Sequence, residues 1–393
     1  MKHLLLWLAT VATVVAWAAC ARPSPTDAGT GTSAATSATA SGAATEATPA
    51  AAAPADDSAI APSDADDRAR ACNVCYAHNW QGGGARGYGS ATSAASLDEL
   101  ADTGMGAVSL TAFGWMSSLS STEIRIARVP GSETFDRMRV DAERARALGL
   151  DVMVKPHLWI GHGDWRGDID PAEDAGGWDA WFDSYEAFIL EHARFAASID
   201  AAWFCVGVEL VSSTRAHPDR WRALIAAIRE VYDGRLVYAA NWDEVDHVTF
   251  HDALDAVGVQ HFAPLAEAPG ADFATLRAAS QRWLERWSGI AAEVDRPLVL
   301  TEVGFMNRAG GAVEPWVWPE HLPDVGSEAG DLEQRTAYLA TLDTFGRADA
   351  VEQIYWWKWF SDPDTDEEGI VGFSPRGKPA GTVLQSFCAP GDP

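Results

Sequence analysis

From residue 71 onward the chain alternates between two hydrophobic periods. Short runs rich in Val, Ile, Leu and aromatic residues recur at Cys72–Ala77, Ala107–Phe113, Val152–His157, Trp203–Leu210, Leu236–Asn241, Ala256–Phe262, Leu298–Phe305 and Gln353–Trp359. Runs that are apolar at nearly every position mark strands buried on both faces, as in parallel sheets. Between them lie stretches with apolar residues three or four apart, such as "FDRMRVDAERARALG" and "WDAWFDSYEAFILEHARFAAS", several closed by Gly. The segments after the fifth and eighth runs, "VDHVTFHDALD" and "KPAGTVLQSF", carry a weaker helical period. Eight strand–helix units over residues 71–390 predict an α/β fold, a single (β/α)8 TIM barrel.

The first 70 residues follow neither period. In "MKHLLLWLATVATVVAWAAC", Lys2 and His3 precede an apolar stretch from Leu4 to Trp17, then small residues before Cys20. This predicts a signal peptide over residues 1–19, too short to be a lasting membrane span. Trp17-Ala18-Ala19-Cys20 resembles a bacterial lipobox, in which Cys20 would be lipidated and become the mature N-terminus. Trp17 departs from the usual Leu there, so cleavage and plain secretion stands as a second reading. The expected location is outside the cytoplasm, lipid-anchored at the cell envelope (outer membrane or cell surface) or else released. Residues 20–70, rich in Ala, Thr, Ser and Pro, hold too little apolar surface to offset ordering entropy and predict a disordered linker.

Charge narrows the partners. Lys and Arg number 29 against 56 Asp and Glu, a formal charge of −27. That field repels nucleic acid and anionic lipid, so any membrane contact is expected only through the N-terminal lipid. A neutral ligand fits better, and the flat faces of 18 Trp suit either core packing or the apolar faces of sugar rings. Cys72 and Cys388 bracket the folded region, and barrel termini lie near one another, so a disulfide between them is expected. "CNVC" at Cys72–Cys75 reads as strand rather than as a redox pair opening a helix. No metal or cofactor is indicated: His247 and His251 lack the intervening Glu of a zinc helix and read as a solvated face. A monomer is expected.

Barrel chemistry sits where strands end. Those positions hold Asn79 and Trp80, Phe113 and Trp115, His157 and Trp159, Glu209, Asn241 and Trp242, His261 and Phe262, Glu302, and Trp357 and Lys358. Glu209 ends the apolar run "FCVGV" and Glu302 follows "PLVLT", so rigid elements deliver two carboxyls on strands four and seven. Two facing carboxyls suit glycoside hydrolysis, one protonating the leaving oxygen while the other attacks the anomeric carbon or activates water.

The segments "VMVKPHLWIGHGDWRGDI", "WFDSYEAFILEHARFA", "VGVEL", "YAANWDEV", "LVLTEVGF" and "YWWKW" together resemble glycoside hydrolase family 113, from about Tyr76 to Phe387. That family comprises retaining β-mannanases of the clan with glutamates on strands four and seven. The resemblance implies that Glu209 is the general acid/base and Glu302 the nucleophile, about 5–5.5 Å apart. It implies no cofactor, and β-1,4-mannan or mannooligosaccharides as substrate. Candidate substrate contacts are Asn79, Trp80, Lys155, His157, Trp159, Trp165, Asn241, Trp242, His261, Phe262, Trp357 and Lys358. Two positions depart from the clan. Val208 stands where Asn commonly precedes the acid/base, which leaves Asn241 as candidate donor to the substrate 2-hydroxyl. Phe262 stands where a Tyr orients the nucleophile, which leaves His261 as substitute donor. Two further readings stay open: action on another β-glycan such as a glucan, and a catalytically weak glycan-binding lipoprotein.

Overall fold

In this computed structural model, residues 71–80, 83–126, 131–317, 326–364, 368 and 371–389 are described. The expected signal peptide, Cys20 and the linker lie outside them. Eight parallel strands form the barrel: β1 (Asn73–Ala77), β2 (Ala107–Met116), β3 (Asp151–Ile160), β4 (Trp203–Val208), β5 (Arg235–Asn241), β6 (Ala256–His261), β7 (Leu298–Val303) and β8 (Val351–Phe360), and a two-residue strand, Arg125–Ile126, pairs antiparallel with the end of β2. Each pairs with its sequence neighbours, and β1 pairs with both β2 and β8, so the sheet closes on itself. Nearly every strand position is buried, as continuous apolar runs require when side chains point alternately inward and outward.

Helices α1 (Ala91–Asp102), α2 (Phe135–Ala147), α3 (Gly177–Ser198), α4 (Val211–Ala216), α5 (Pro218–Arg229), α6 (Phe273–Glu293), α7 (Glu328–Thr344) and α8 (Pro379–Cys388) surround the barrel. Ser90, Asp272 and Ser327 cap α1, α6 and α7 by accepting a bond from a first-turn amide. One expectation fails: no α-helix follows β5. Two 3-10 turns, Val245–His247 and His251–Ala253, stand there instead. His247 is exposed as its spacing suggested, but His251 is buried and its Nε2 donates to the Val245 carbonyl at 3.0 Å.

The core has two parts. The layer between sheet and helices takes Trp181, Trp221, Trp287, Trp356 and Trp359, so much of the tryptophan is packing. Inside the barrel, Cys75, Ala107, Met153, Trp203, Cys205, Val237, Val299 and Tyr355 fill the floor below the strand ends. Cys75 and Cys205 are buried free thiols; burial pushes Cys75 up to about 12, so it is not a reactive thiolate at neutral pH.

Cys72 and Cys388 form a disulfide that joins the start of β1 to the end of α8 across 316 residues. A crosslink over so long a loop chiefly restricts the unfolded chain. Cys72→Ser with Cys388→Ser should therefore lose about 2–5 kcal/mol of unfolding free energy by urea titration. Turnover at 25 °C should not change, because the bridge lies at the strand starts.

Candidate active site

Strand β3 supplies one wall of the site. Met153, Lys155, His157 and Trp159 share its inner face and climb from the packed floor to the rim. Register with β2 sets His157 beside Phe113 and Trp159 beside Trp115. The rings of Trp80, Phe113, Trp115 and Trp159 then meet at 5.8–6.4 Å, with the three tryptophans half-buried. Across the mouth, Trp242 stacks on Trp316 at 5.5 Å and meets Trp283 edge-on.

Glu302 on β7 is fully buried. Lys155 Nζ donates to its Oε1 at 2.6 Å, to the Thr301 carbonyl at 2.9 Å and to Cys75 Sγ at 3.4 Å. Burial alone would lower the lysine, but its surroundings, with Glu302 Oε1 at 2.6 Å, outweigh it and hold Lys155 above its ordinary value, so it is a cation. His157 Nε2 lies 3.5 Å from the same Glu302 oxygen. Burial, with Arg166 and Lys155 nearby, pushes His157 well below its usual range, so the ring is neutral. Arg166 Nη1 lies 3.2 Å from His157 Nδ1, and a guanidinium can only donate. Nδ1 therefore accepts, and the ring proton sits on Nε2, facing Glu302.

Glu209 follows β4 and is fully buried. Its Oε2 accepts from Trp165 Nε1 at 3.3 Å and lies 3.6 Å from Arg166 Nη1. A continuous polar chain thus runs Glu302, His157, Arg166, Glu209. Arg166 is the member that sequence reasoning missed: it is almost fully buried, although an arginine in a Gly-rich loop reads as surface.

Both carboxyls follow a break in strand register. The β4–β5 pairing slips between Cys205 and Val208, and the β7–β8 pairing slips between Leu300 and Val303. On β4 the slip turns Gly207 outward, where a Cβ would meet the Trp221 ring at 2.7 Å and the Tyr185 hydroxyl at 3.0 Å. Val208 turns into the apolar interior, and Glu209 takes φ +53°, a left-handed conformation that costs a non-glycine residue about 1–2 kcal/mol.

The remaining candidates divide. Trp357 faces inward, stacks on His157 at 6.1 Å and carries Lys155 Nζ 5.6 Å over its ring. Phe262 joins the interior cluster and packs edge-on against Phe373. The Asn241 amide donates to Asp243 at 2.8 Å. The Asn79 amide donates to Asp362 at 3.1 Å, bracing the β1 and β8 loops against each other. Lys358 pairs with Glu368 of the loop after β8 at 3.0 Å, rather than with either site glutamate.

His261 is a correction. It shares the outer face of β6 with Val257 and Val259 and packs among Trp287, Phe305 and Phe345, so it cannot serve the cleft. Burial lowers it from 6.5 to about 3. The unfolded chain therefore takes up the proton first, and stability is lost as pH falls from 6.5 towards 3. His261→Phe should flatten that slope, seen as a smaller loss of urea midpoint between pH 7 and pH 4.5. Turnover should stay within about twofold, since surface and core changes away from a site act on stability.

Comparison with known proteins agrees with this geometry. The family model described as Glycoside Hydrolase Family 113 matches residues 77–371. A solved structure of the GH113 β-mannanase AaManA from Alicyclobacillus acidocaldarius superimposes with a TM-score of 0.69 at 25% identity, covering 81% of this chain and 96% of that one. A second, described as a GH113 β-1,4-mannanase, gives 0.68 at 22% identity over 80% and 97% of the two chains, a likeness of fold. No curated protein matches in sequence. With three quarters of its length matched by the family model and two buried glutamates ending β4 and β7, this chain belongs to glycoside hydrolase family 113 and is a glycosidase.

Proposed function

We propose that the protein is a retaining β-mannanase, cleaving β-1,4-mannan or mannooligosaccharides by double displacement. One observation carries the reading: two buried carboxyls at the ends of β4 and β7 are joined by the chain His157–Arg166 beneath a mouth walled by tryptophan. Glu302 attacks the anomeric carbon while Glu209 gives its proton to the departing glycosidic oxygen, and the C–O bond breaks. Glu209, now ionised, takes a proton from water whose oxygen attacks the same carbon. The ester to Glu302 then breaks, so two inversions give net retention. Lys155 holds Glu302 Oε1 in place, with the neutral His157 ring 3.5 Å from the same oxygen, which leaves the other oxygen as attacker. They supply the polar contacts that Phe262 lacks.

The relatives named β-mannanases support the choice of sugar, and the net charge of −27 supports a neutral glycan. The long-range disulfide supports an oxidising compartment, in line with export and anchoring through Cys20. The test is incubation with a 2-deoxy-2-fluoro-β-mannosyl fluoride, then peptide mass mapping. A covalent sugar on the Glu302 peptide is expected. Turnover of mannan without such an adduct, or an adduct on another residue, would sink the assignment. Stronger cleavage of glucan than of mannan would move the substrate to the other β-glycan.

A further inference from the structure

Glu244 is a third buried carboxyl beside the site, three residues past β5 and fully excluded from solvent. Its Oε1 accepts from Thr214 Oγ1 at 2.5 Å and from Tyr238 Oη at 3.0 Å, and its Oε2 accepts from the Asn241 backbone N–H at 3.1 Å. Tyr238, on β5, is locked between Trp221 and Phe250 with centroids at 5.3 and 5.6 Å. Its hydroxyl accepts from the Leu210 amide at 2.7 Å, the bond next in sequence to Glu209. The amide of Glu209 itself donates to the Ala239 carbonyl at 2.9 Å. Both peptide groups flanking the left-handed Glu209 are therefore tied to β5, one of them through Tyr238 to Glu244.

Burying a carboxyl is costly, and a backbone brace alone would not require one. This carboxyl is pushed up to about 7, first by burial, with the charge of Glu209 adding to it, so the two groups lie within electrostatic reach. A hydroxyl that must accept from an amide while donating to a carboxyl has one orientation, which fixes the peptide plane after Glu209. Without it the turn is free to relax from φ +53° towards ordinary values, carrying the carboxyl away from Trp165 and Arg166.

We propose that Glu244, acting through Tyr238, is a positioning residue for proton transfer: it fixes the turn that aims Glu209 at the leaving oxygen. The proposal rests on the acid/base role given to Glu209 above. A positioning role for the acid has a signature that a merely structural role lacks. A leaving group that departs without a proton should hide the defect, while a poor one should expose it.

The experiment compares Glu244→Gln, Tyr238→Phe and Glu209→Ala by kcat/KM on mannotetraose and on 2,4-dinitrophenyl β-mannoside. Glu244→Gln should lose about 100-fold on mannotetraose and less than about fivefold on the dinitrophenyl substrate. Tyr238→Phe should lose about tenfold with the same split. If Glu244→Gln does not fold, Tyr238→Phe decides. Equal losses on both substrates, or none on either, overturn the proposal while the split in Glu209→Ala stands. A Glu209→Ala protein without the split overturns the acid/base reading itself.

Discussion

Glu302→Gln should lower kcat on mannan by about 10⁴-fold or more, because an amide oxygen cannot form the glycosyl ester. The same change should also destabilise the fold. Glutamine leaves the Lys155 ammonium, fully buried, without the anion 2.6 Å away. Removing one member of a buried ion pair costs about 3–5 kcal/mol, since the survivor keeps its desolvation penalty. Loss of activity with unchanged urea stability would mean that the ion pair is relaxed by the surroundings. Full activity would remove Glu302 from the chemistry. Both readouts come from one purified variant, and they separate the residue's reactive role from its structural one.

Lys155→Met should be the second large effect. The methionine matches the lysine stem in volume but removes the donor to Glu302, the Thr301 carbonyl and Cys75. We expect kcat to fall by about 10²–10³-fold, with stability down by about 3–5 kcal/mol. The informative measurement is the double variant. Lys155→Met with Glu302→Gln removes both charges, so its loss of stability should be smaller than the sum of the two single losses by at least about 2 kcal/mol. Strict additivity in urea titrations would show that the two groups do not stabilise each other. Lys155→Arg should not rescue turnover, because a planar guanidinium cannot reproduce a point donor in a packed barrel.

Much of the fold could be read from the chain because parallel barrel strands are buried on both faces. Their apolar runs stand out whatever the helices do, and the observed strands match the expected runs within a few residues. The segment after β5 misled because Val245, Val248, Phe250 and Leu254 are apolar at near-helical spacing, yet they serve two short turns above Glu244. The two glutamates were legible as charges ending greasy strands. The inward aim of Glu302 was not, because the two-residue period that turns Val299 inward would turn Glu302 outward, and only the slip in β7 brings it round; on β4 the same period already points Glu209 inward with Trp203 and Cys205. On β6 the period holds, and it alone separates inward Phe262 from outward His261. Arg166 and Glu244 were hidden for a common reason: charged residues in loop sequence read as solvated, and only tertiary packing reveals that each is enclosed.

The bridge between Cys72 and Cys388 also gives the molecule a polarity. It clamps the start of β1 to the last helix, at the face where strands begin. Glu209 and Glu302 lie at the opposite face, where strands end. The chain therefore enters the barrel at residue 71 on the face away from the two glutamates, and tension at that end of β1 is borne by a covalent clasp rather than by strand pairing alone.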